Sequence, residues 1–320
     1  MPAASAASSP DRPFGNSVVT TSYKIGVDGG GTKTELILID SAGEIIARHI
    51  VAGCNPSHTG PELARTILQN ALHELRSHAK IGSSNSVIST THLYMAGHPR
   101  FWQETAAQLS GCGRVLAAPD SLPVLELATQ GAPGLVLHAG TGSFIAARAP
   151  DGTVHYAGGL GWKLGDPGSA FDLGRRGIAR ALLELQGWVG RSPLADALCA
   201  HTGLTDANAI TRLFYSEPDA NARIAAFAPR VTALAGEGSH DAQLALVQTL
   251  TELVEQALSV TDKLFAGKLA TCGVSGALLN SEPAVHTLRS LVTTHAWPVG
   301  LCFLTEPPIE GVRRLLAKSH

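Results

Sequence analysis

Between Tyr23 and Val51 the chain passes through three short apolar stretches, YKIGVD (23–28), TELILID (34–40) and EIIARHIV (44–51). Each is strand-length, rich in β-branched residues and bounded by a turn, so a three-strand meander is predicted. The period then changes. In PELARTILQNALHELRSHA (61–79), Leu63, Ile67, Ala71, Leu72 and Leu75 recur at helical spacing behind Pro61, which suits a first helical turn. HLYMAG (92–97) reads as a buried strand, and a helix is expected from Pro99 to Leu109. RVLAAP (114–119) is a further strand, running into a helix that opens on Asp120.

The order then restarts. GLVLHAGTGSFIAARAPDGTVHYAGG (134–159) holds an apolar strand, a glycine turn, a second strand, and an Asp151-Gly152 turn into a third. From Gly168 to Phe265 the pattern is mostly helical, with 241–265 the clearest long helix. KLATCGVSGALLNS (268–281) returns to a strand, a glycine turn and a helix. CFLTE (302–306) is the last expected strand, and a helix from Pro308 closes the chain. Two halves of one arrangement imply an α/β fold around a cleft, although no residue-level repeat accompanies it.

Composition narrows the function. The 320 residues carry 44% hydrophobic and 16% charged side chains with a formal net charge of −2, enough apolar material for one large or two modest domains. No basic run offers a footprint for nucleic acid. No apolar run approaches the ~20 residues of a membrane span. The first 22 residues, rich in Ala, Ser and Pro, read as a disordered tail without a signal peptide's basic start and apolar core. The five cysteines are scattered, which predicts small buried thiols and a reducing cytoplasm. The thirteen histidines form no metal-binding motif.

Candidate chemistry lies in the glycine turns. Asp28-Gly29-Gly30-Gly31-Thr32 follows a strand and precedes another, unlike a P-loop or a dinucleotide turn, which run into helices. Glycines let backbone N–H groups approach an anion, Thr32 can donate to a terminal phosphate, and Asp28 can hold Mg²⁺ through water. Hairpin turns also use D-G and G-G, so an ordinary turn is the competing reading. Ala139-Gly140-Thr141-Gly142-Ser143 repeats the layout in the second half, so the two turns could clasp a nucleotide from opposite sides. A third turn, Cys272 to Ala277, has small residues that would let an adenosine lie against the backbone. Asp120, at a strand end and helix start, could accept a proton, or could simply cap its helix. Lys33 could touch phosphate or be solvated.

This combination, D-G-G-G-T-K, A-G-T-G-S, then G-D-x-G-S and the late small-residue turn, resembles the BadF/BadG/BcrA/BcrD ATPase family from about Tyr23 to Ala317. The resemblance is strongest to its N-acetylglucosamine and glucosamine kinase members. It implies two actin-like ATPase (ribonuclease H-like) domains with mixed sheets, the first over 23–120 with the closing helix 308–320 packed back on it, the second over 121–307. It further implies ATP bound by Gly30, Gly31, Thr32, Lys33, Thr141, Gly142, Gly273 and Ser275, with Mg²⁺ at Asp28. Asp120 would be the base that deprotonates the sugar's 6-hydroxyl. Asn55, Gly97, Ser143, Gly159, Gly161 and Asp166 would join Asp120 in holding the sugar. A homodimer is implied, with the helical segment 190–265 as a source of interface. N-acetylglucosamine is the first substrate choice, then glucosamine, then N-acetylmuramic acid.

Phe144, Pro167 and GGLGWK depart from the family's usual residues, and all three fall in the expected sugar pocket. Two other functions stay open: an ATPase that activates a reductase through an iron–sulfur cluster, and a non-catalytic sugar sensor. The activators carry G-G-Q-D where this chain has A-G-T-G-S, and Cys112 and Cys199 stand far from that turn.

Overall fold

The computed structural model describes residues 21–78 and 86–319. β1 (Thr21–Gly29), β2 (Lys33–Ile39) and β3 (Ile45–Ala52) form the expected antiparallel meander. Residues 1–20, most of the expected tail, lie outside the described residues, and Thr21 and Ser22 already belong to β1. A single turn, α1 (Pro56–Thr59), leads into α2 (Pro61–His78). The buried stripe of α2 is Ala64, Leu68, Ala71, Leu72 and Leu75; Leu63, counted with it from spacing, is 53% exposed.

β4 (Ser86–Met95), α3 (Pro99–Gln108), β5 (Arg114–Pro119) and α4 (Ser121–Thr129) follow. β4 begins six residues earlier than HLYMAG suggested, because its first half, SVISTT, is only partly buried and carries polar side chains. The sheet order is β3-β2-β1-β4-β5, with β1, β4 and β5 parallel.

The second half contains β6 (Gly134–Ala139), β7 (Ser143–Arg148) and β8 (Val154–Gly158), then helices α5 (Ala170–Leu185), α6 (Pro193–Thr202), α7 (Ala207–Ser216), α8 (Ala220–Gly236) and α9 (His240–Phe265). β9 (Ala270–Ser275), α10 (Glu282–Thr294), β10 (Val299–Phe303) and α11 (Pro308–Lys318) complete the chain. β10 lies three residues before the predicted CFLTE strand: Pro298 and Gly300 look like breakers, yet Val299 to Phe303 pair in parallel with Ala270 to Val274. This sheet, β8-β7-β6-β9-β10, repeats the order and every pairing sense of the first. The duplication inferred from element order is therefore present in hydrogen-bond topology.

Each sheet is covered on both faces. Ile25, Val27, Leu36 and Leu38 pack against Leu68 and Leu75 of α2 and Trp102 of α3, while Ile37, Ile39 and Tyr94 on the other face meet Ile309, Val312 and Leu316 of α11. In the second sheet, Leu135, Leu137 and Ile145 join a core with Phe227, Val231, Leu250 and Leu253 from α8 and α9. Its other face packs Val136, Phe144 and Ala146 against Val124, Leu125 and Ala128 of α4. α4 and α11 then meet each other, with Gly311 so close to Pro123 that a methyl group there would overlap the Pro123 carbonyl. The two sheets are thus joined through a pair of helices in contact.

Among the described residues no helix is long and apolar enough to cross a membrane. Cys54, Cys112 and Cys272 are buried thiols as expected, but Cys199 is half-buried and Cys302 exposed, since β10 is an edge strand with one face open.

Candidate active site

Register places the candidate residues on one rim of each sheet. Across the first sheet, Val51, Thr34, Gly29, Met95 and Pro119 form a row of paired residues. Immediately beyond that row lie the Gly30–Lys33 turn, the Gly53–Asn55 segment after β3, Gly97 after β4, and Asp120 after β5. In the second sheet the matching row is Gly158, Phe144, His138 and Ser275. Beyond it lie Gly159, the Gly140–Gly142 turn and Gly276. These are the carboxyl ends of the parallel strands, where open α/β sheets place their ligands.

The first turn is closed by Gly30 N–H donating to the Lys33 carbonyl at 2.9 Å, leaving Gly31 and Thr32 exposed. Gly53 braces it from behind: its N–H donates to the Thr32 carbonyl at 3.1 Å, and any Cβ there would run into the Gly31 backbone. Sequence reasoning passed over Gly53; the signal was its place two residues before Asn55. Lys33 Nζ pairs with Glu35 Oε2 at 2.9 Å, and Glu35 is shared with Arg48 at 2.8 Å.

The second turn has Gly140 N–H donating to the Gly142 carbonyl at 2.8 Å, with Thr141 exposed. Its carbonyls also hold the start of α5: Ala170 N–H donates to Gly140 O at 2.9 Å and Phe171 N–H to Thr141 O at 3.3 Å. Gly276 (φ +104°) sits hard against the Ala139 carbonyl, so the third turn touches the second. Ser275 hydrogen-bonds His138 at 3.1 Å; Gly273 lies inside β9, packed under Ala128 of α4. Burial pushes His138 down to about 4, so the ring is neutral at pH 7.

Asp28 and Asp120 face the same space. Burial, then the neighbouring Asp120 carboxylate, pushes Asp28 up to about 7; Lys33 pulls in the opposite direction. Burial raises Asp120 to about 6, partly offset by the nearby amides of Asp120 and Ser121. Asp120 stands at the N-cap position of α4 but makes no capping hydrogen bond, which leaves its carboxylate free to act elsewhere. Asn55 does cap, accepting from Ser57 N–H at 3.0 Å, and its Oδ1 lies 2.7 Å from where a Cβ of Gly97 would stand. Those two residues therefore form one surface beside Asp120.

Asp166 does not open a helix. Its carboxylate accepts from Gly161 N–H at 3.1 Å, and the cap of α5 is Ser169, accepting from Asp172 N–H at 3.0 Å. Gly142 leaves space for Asp166, whose Oδ2 lies 2.7 Å from the missing Cβ. Ser143 donates to the Pro167 carbonyl at 2.7 Å. Gly168 N–H donates to Thr249 at 3.0 Å, and Thr249 in turn donates to Asp172, which also holds Arg175 and Arg176. A pocket of about 560 Å³ opens beside Asp166, lined by Trp162, Lys163, Pro167, Phe171 and Arg175.

Geometry and motif agree with what the chain is similar to. The profile of the BadF/BadG/BcrA/BcrD ATPase family matches residues 25–300. The chain belongs to that family. Among its relatives, an N-acetyl-D-glucosamine kinase of Dictyostelium discoideum is 27% identical over 75% of this chain and 79% of that one. An N-acetylmuramic acid/N-acetylglucosamine kinase of Clostridium acetobutylicum is 27% identical over 50% of this chain, and the match spans about half (53%) of that enzyme. The crystal structure of a proposed N-acetylglucosamine kinase from Chromobacterium violaceum superposes with a TM-score of 0.74 at 25% identity, covering 92% of this chain and 99% of that one. The fold is accordingly the mixed α/β, two-sheet architecture of actin-like ATPases and sugar kinases.

Proposed function

We propose that this protein is an ATP-dependent amino-sugar kinase that phosphorylates N-acetylglucosamine at its 6-hydroxyl. The observation that carries the reading is that each of two identically ordered sheets has an exposed glycine turn at the carboxyl ends of its parallel strands, with a half-buried Asp120 that caps nothing at the end of β5. Phosphoryl transfer needs positioning, charge neutralisation and an acceptor for the nucleophile's proton. Backbone amides of the Gly30–Thr32 and Gly140–Gly142 turns, with the Thr32 and Thr141 hydroxyls, would hold the phosphates. Ser275 and the Gly276 turn would take the adenosine. Asn55, Gly97, Ser143, Gly159, Gly161 and Asp166 would hold the sugar so that its hydroxyl reaches Asp120. Asp120 takes the proton as the sugar oxygen bonds to the γ-phosphorus, and ADP leaves with the electrons of the broken P–O bond.

Asp28 fits a Mg²⁺ ion arriving with the nucleotide, since its carboxyl is raised by burial and by Asp120, a field a cation would relieve. The described residues hold no group of three metal ligands, which suits Mg²⁺ completed by phosphate oxygens and water. Bound there, it would neutralise charge on the transferring phosphates. Unpaired cysteines fit a reducing cytoplasm, and Tyr215, 89% exposed within the helical segment, fits a homodimer face.

N-acetylmuramic acid is a second reading, supported by the similarity to the N-acetylmuramic acid/N-acetylglucosamine kinase of Clostridium acetobutylicum. The test is ADP release from Mg·ATP with N-acetylglucosamine, glucosamine, N-acetylmuramic acid, N-acetylmannosamine, glucose and no sugar. Turnover stimulated by one amino sugar and lost in Asp120→Asn supports the kinase and names its substrate. Sugar-independent ADP release overturns it in favour of a reductase-activating ATPase.

A further inference from the structure

Three near-parallel rings cross the second sheet beside the candidate base. His138 of β6 stacks on Phe144 of β7 (centroids 4.9 Å apart, 25° between planes), and Phe144 stacks on Tyr156 of β8 (5.4 Å, 26°). The row lies on the face that packs against α4, whose first residue follows Asp120. His138 and Phe144 are enclosed, Phe144 only 8% exposed, whereas Tyr156 ends the row with 49% of its surface open. Phe144 therefore does not meet the cleft itself; it stiffens the ring that does.

The tyrosine hydroxyl occupies space that Gly159 leaves open. It lies where the side chain of Gly159 would be, so a residue with a Cβ there would push it away. Among the described residues it makes no hydrogen bond within the chain, which leaves it open to a ligand. Burial, then the charges of Asp120 and Asp166, pushes the phenol's pKa up, so at neutral pH it is a protonated donor.

We infer that Tyr156 is the sugar-positioning residue of this site: its open ring face takes the apolar face of the pyranose, and its hydroxyl donates to a polar substituent on that sugar. The inference rests on the kinase reading above. A rigid ring with a polar edge orients such a ligand at small entropic loss, having few torsions to fix. It also assigns Gly159 a role, that of leaving space for the phenol, and explains Phe144 as the ring beneath.

The test compares wild type, Tyr156→Phe and Tyr156→Ala by steady-state kinetics and by calorimetric titration of N-acetylglucosamine without nucleotide. Loss of the ring is expected to raise the KM for the sugar about tenfold or more, with the KM for ATP unchanged. Loss of the hydroxyl alone is expected to weaken sugar binding about two- to tenfold and to alter the ranking of amino sugars. An unchanged ATP KM shows that the Ala variant is folded. If the wild type phosphorylates an amino sugar and Tyr156→Ala keeps its sugar KM, the assignment alone is overturned. If the wild type turns over no sugar, the kinase reading falls and takes this assignment with it.

Discussion

At the residue scale, two half-buried carboxylates, Asp28 and Asp120, lie near enough for the charge of one to raise the other. Both folded-state values are raised above the ordinary 3.8, to about 7 for Asp28 and about 6 for Asp120. A raised carboxyl means the folded state binds more protons than the unfolded chain, so stability is greatest below the unfolded value and falls as pH climbs from about 4 to 7. Asp28→Asn is therefore expected to raise the ligand-free melting temperature at pH 8 but hardly at pH 4, measured by scanning calorimetry across pH. A general base works only when ionised, so kcat/KM should fall about tenfold per unit below pH 6. A flat profile from pH 5 to 8 would remove Asp120 from that role. Asp120 was legible in the sequence because a strand, an aspartate and a helix start are visible there. That it caps nothing was not, since Asp-Ser is also a good cap pair and only side-chain orientation separates the two. Tyr156 was illegible for a related reason: its meaning depends on Phe144 and Gly159, which neighbour it through sheet pairing and loop path.

At the element scale, the turns are made by what stands behind them as much as by their own glycines. Gly53 after β3 leaves no room for a Cβ against the Gly31 backbone. Gly53→Ala is expected to displace the first turn, raise the KM for ATP about tenfold, and lower stability by roughly 1–3 kcal/mol. Equilibrium unfolding and nucleotide kinetics together check it, and an unchanged ATP KM would mean that the turn does not hold phosphate. Both meanders, α2, α3 and α9 could be read from periodicity because their apolar spacing is strong. The start of β4 and the position of β10 could not. SVISTT lacks apolar continuity, and Pro298 and Gly300 disguise a strand whose identity comes from pairing with β9.

At the scale of the whole molecule, α4 and α11 are the seam. Lys318 pairs with Glu126, a carboxylate only 3% exposed, and Gly311 rides on the Pro123 carbonyl. Gly311→Ala is expected to pry the helices apart and cost about 1–3 kcal/mol, visible as a melting temperature lower by a few degrees. An unshifted melting curve would show that the seam yields freely. The halves were legible from repeated element order, whereas the seam was not, because α11 touches the first sheet only after the entire second one has been laid down. That return has a consequence in time. Lys24 of β1 donates to the carbonyl of Leu316 at 3.0 Å, across 292 residues of chain. While the chain is being synthesised, Ile37, Ile39 and Tyr94 wait without their cover until the last helix emerges, for tens of seconds at roughly 5–20 residues per second. The first sheet, although made first, is thus the last to be finished, and a nascent chain stalled before Pro308 presents a sticky, half-dressed surface for chaperones to hold.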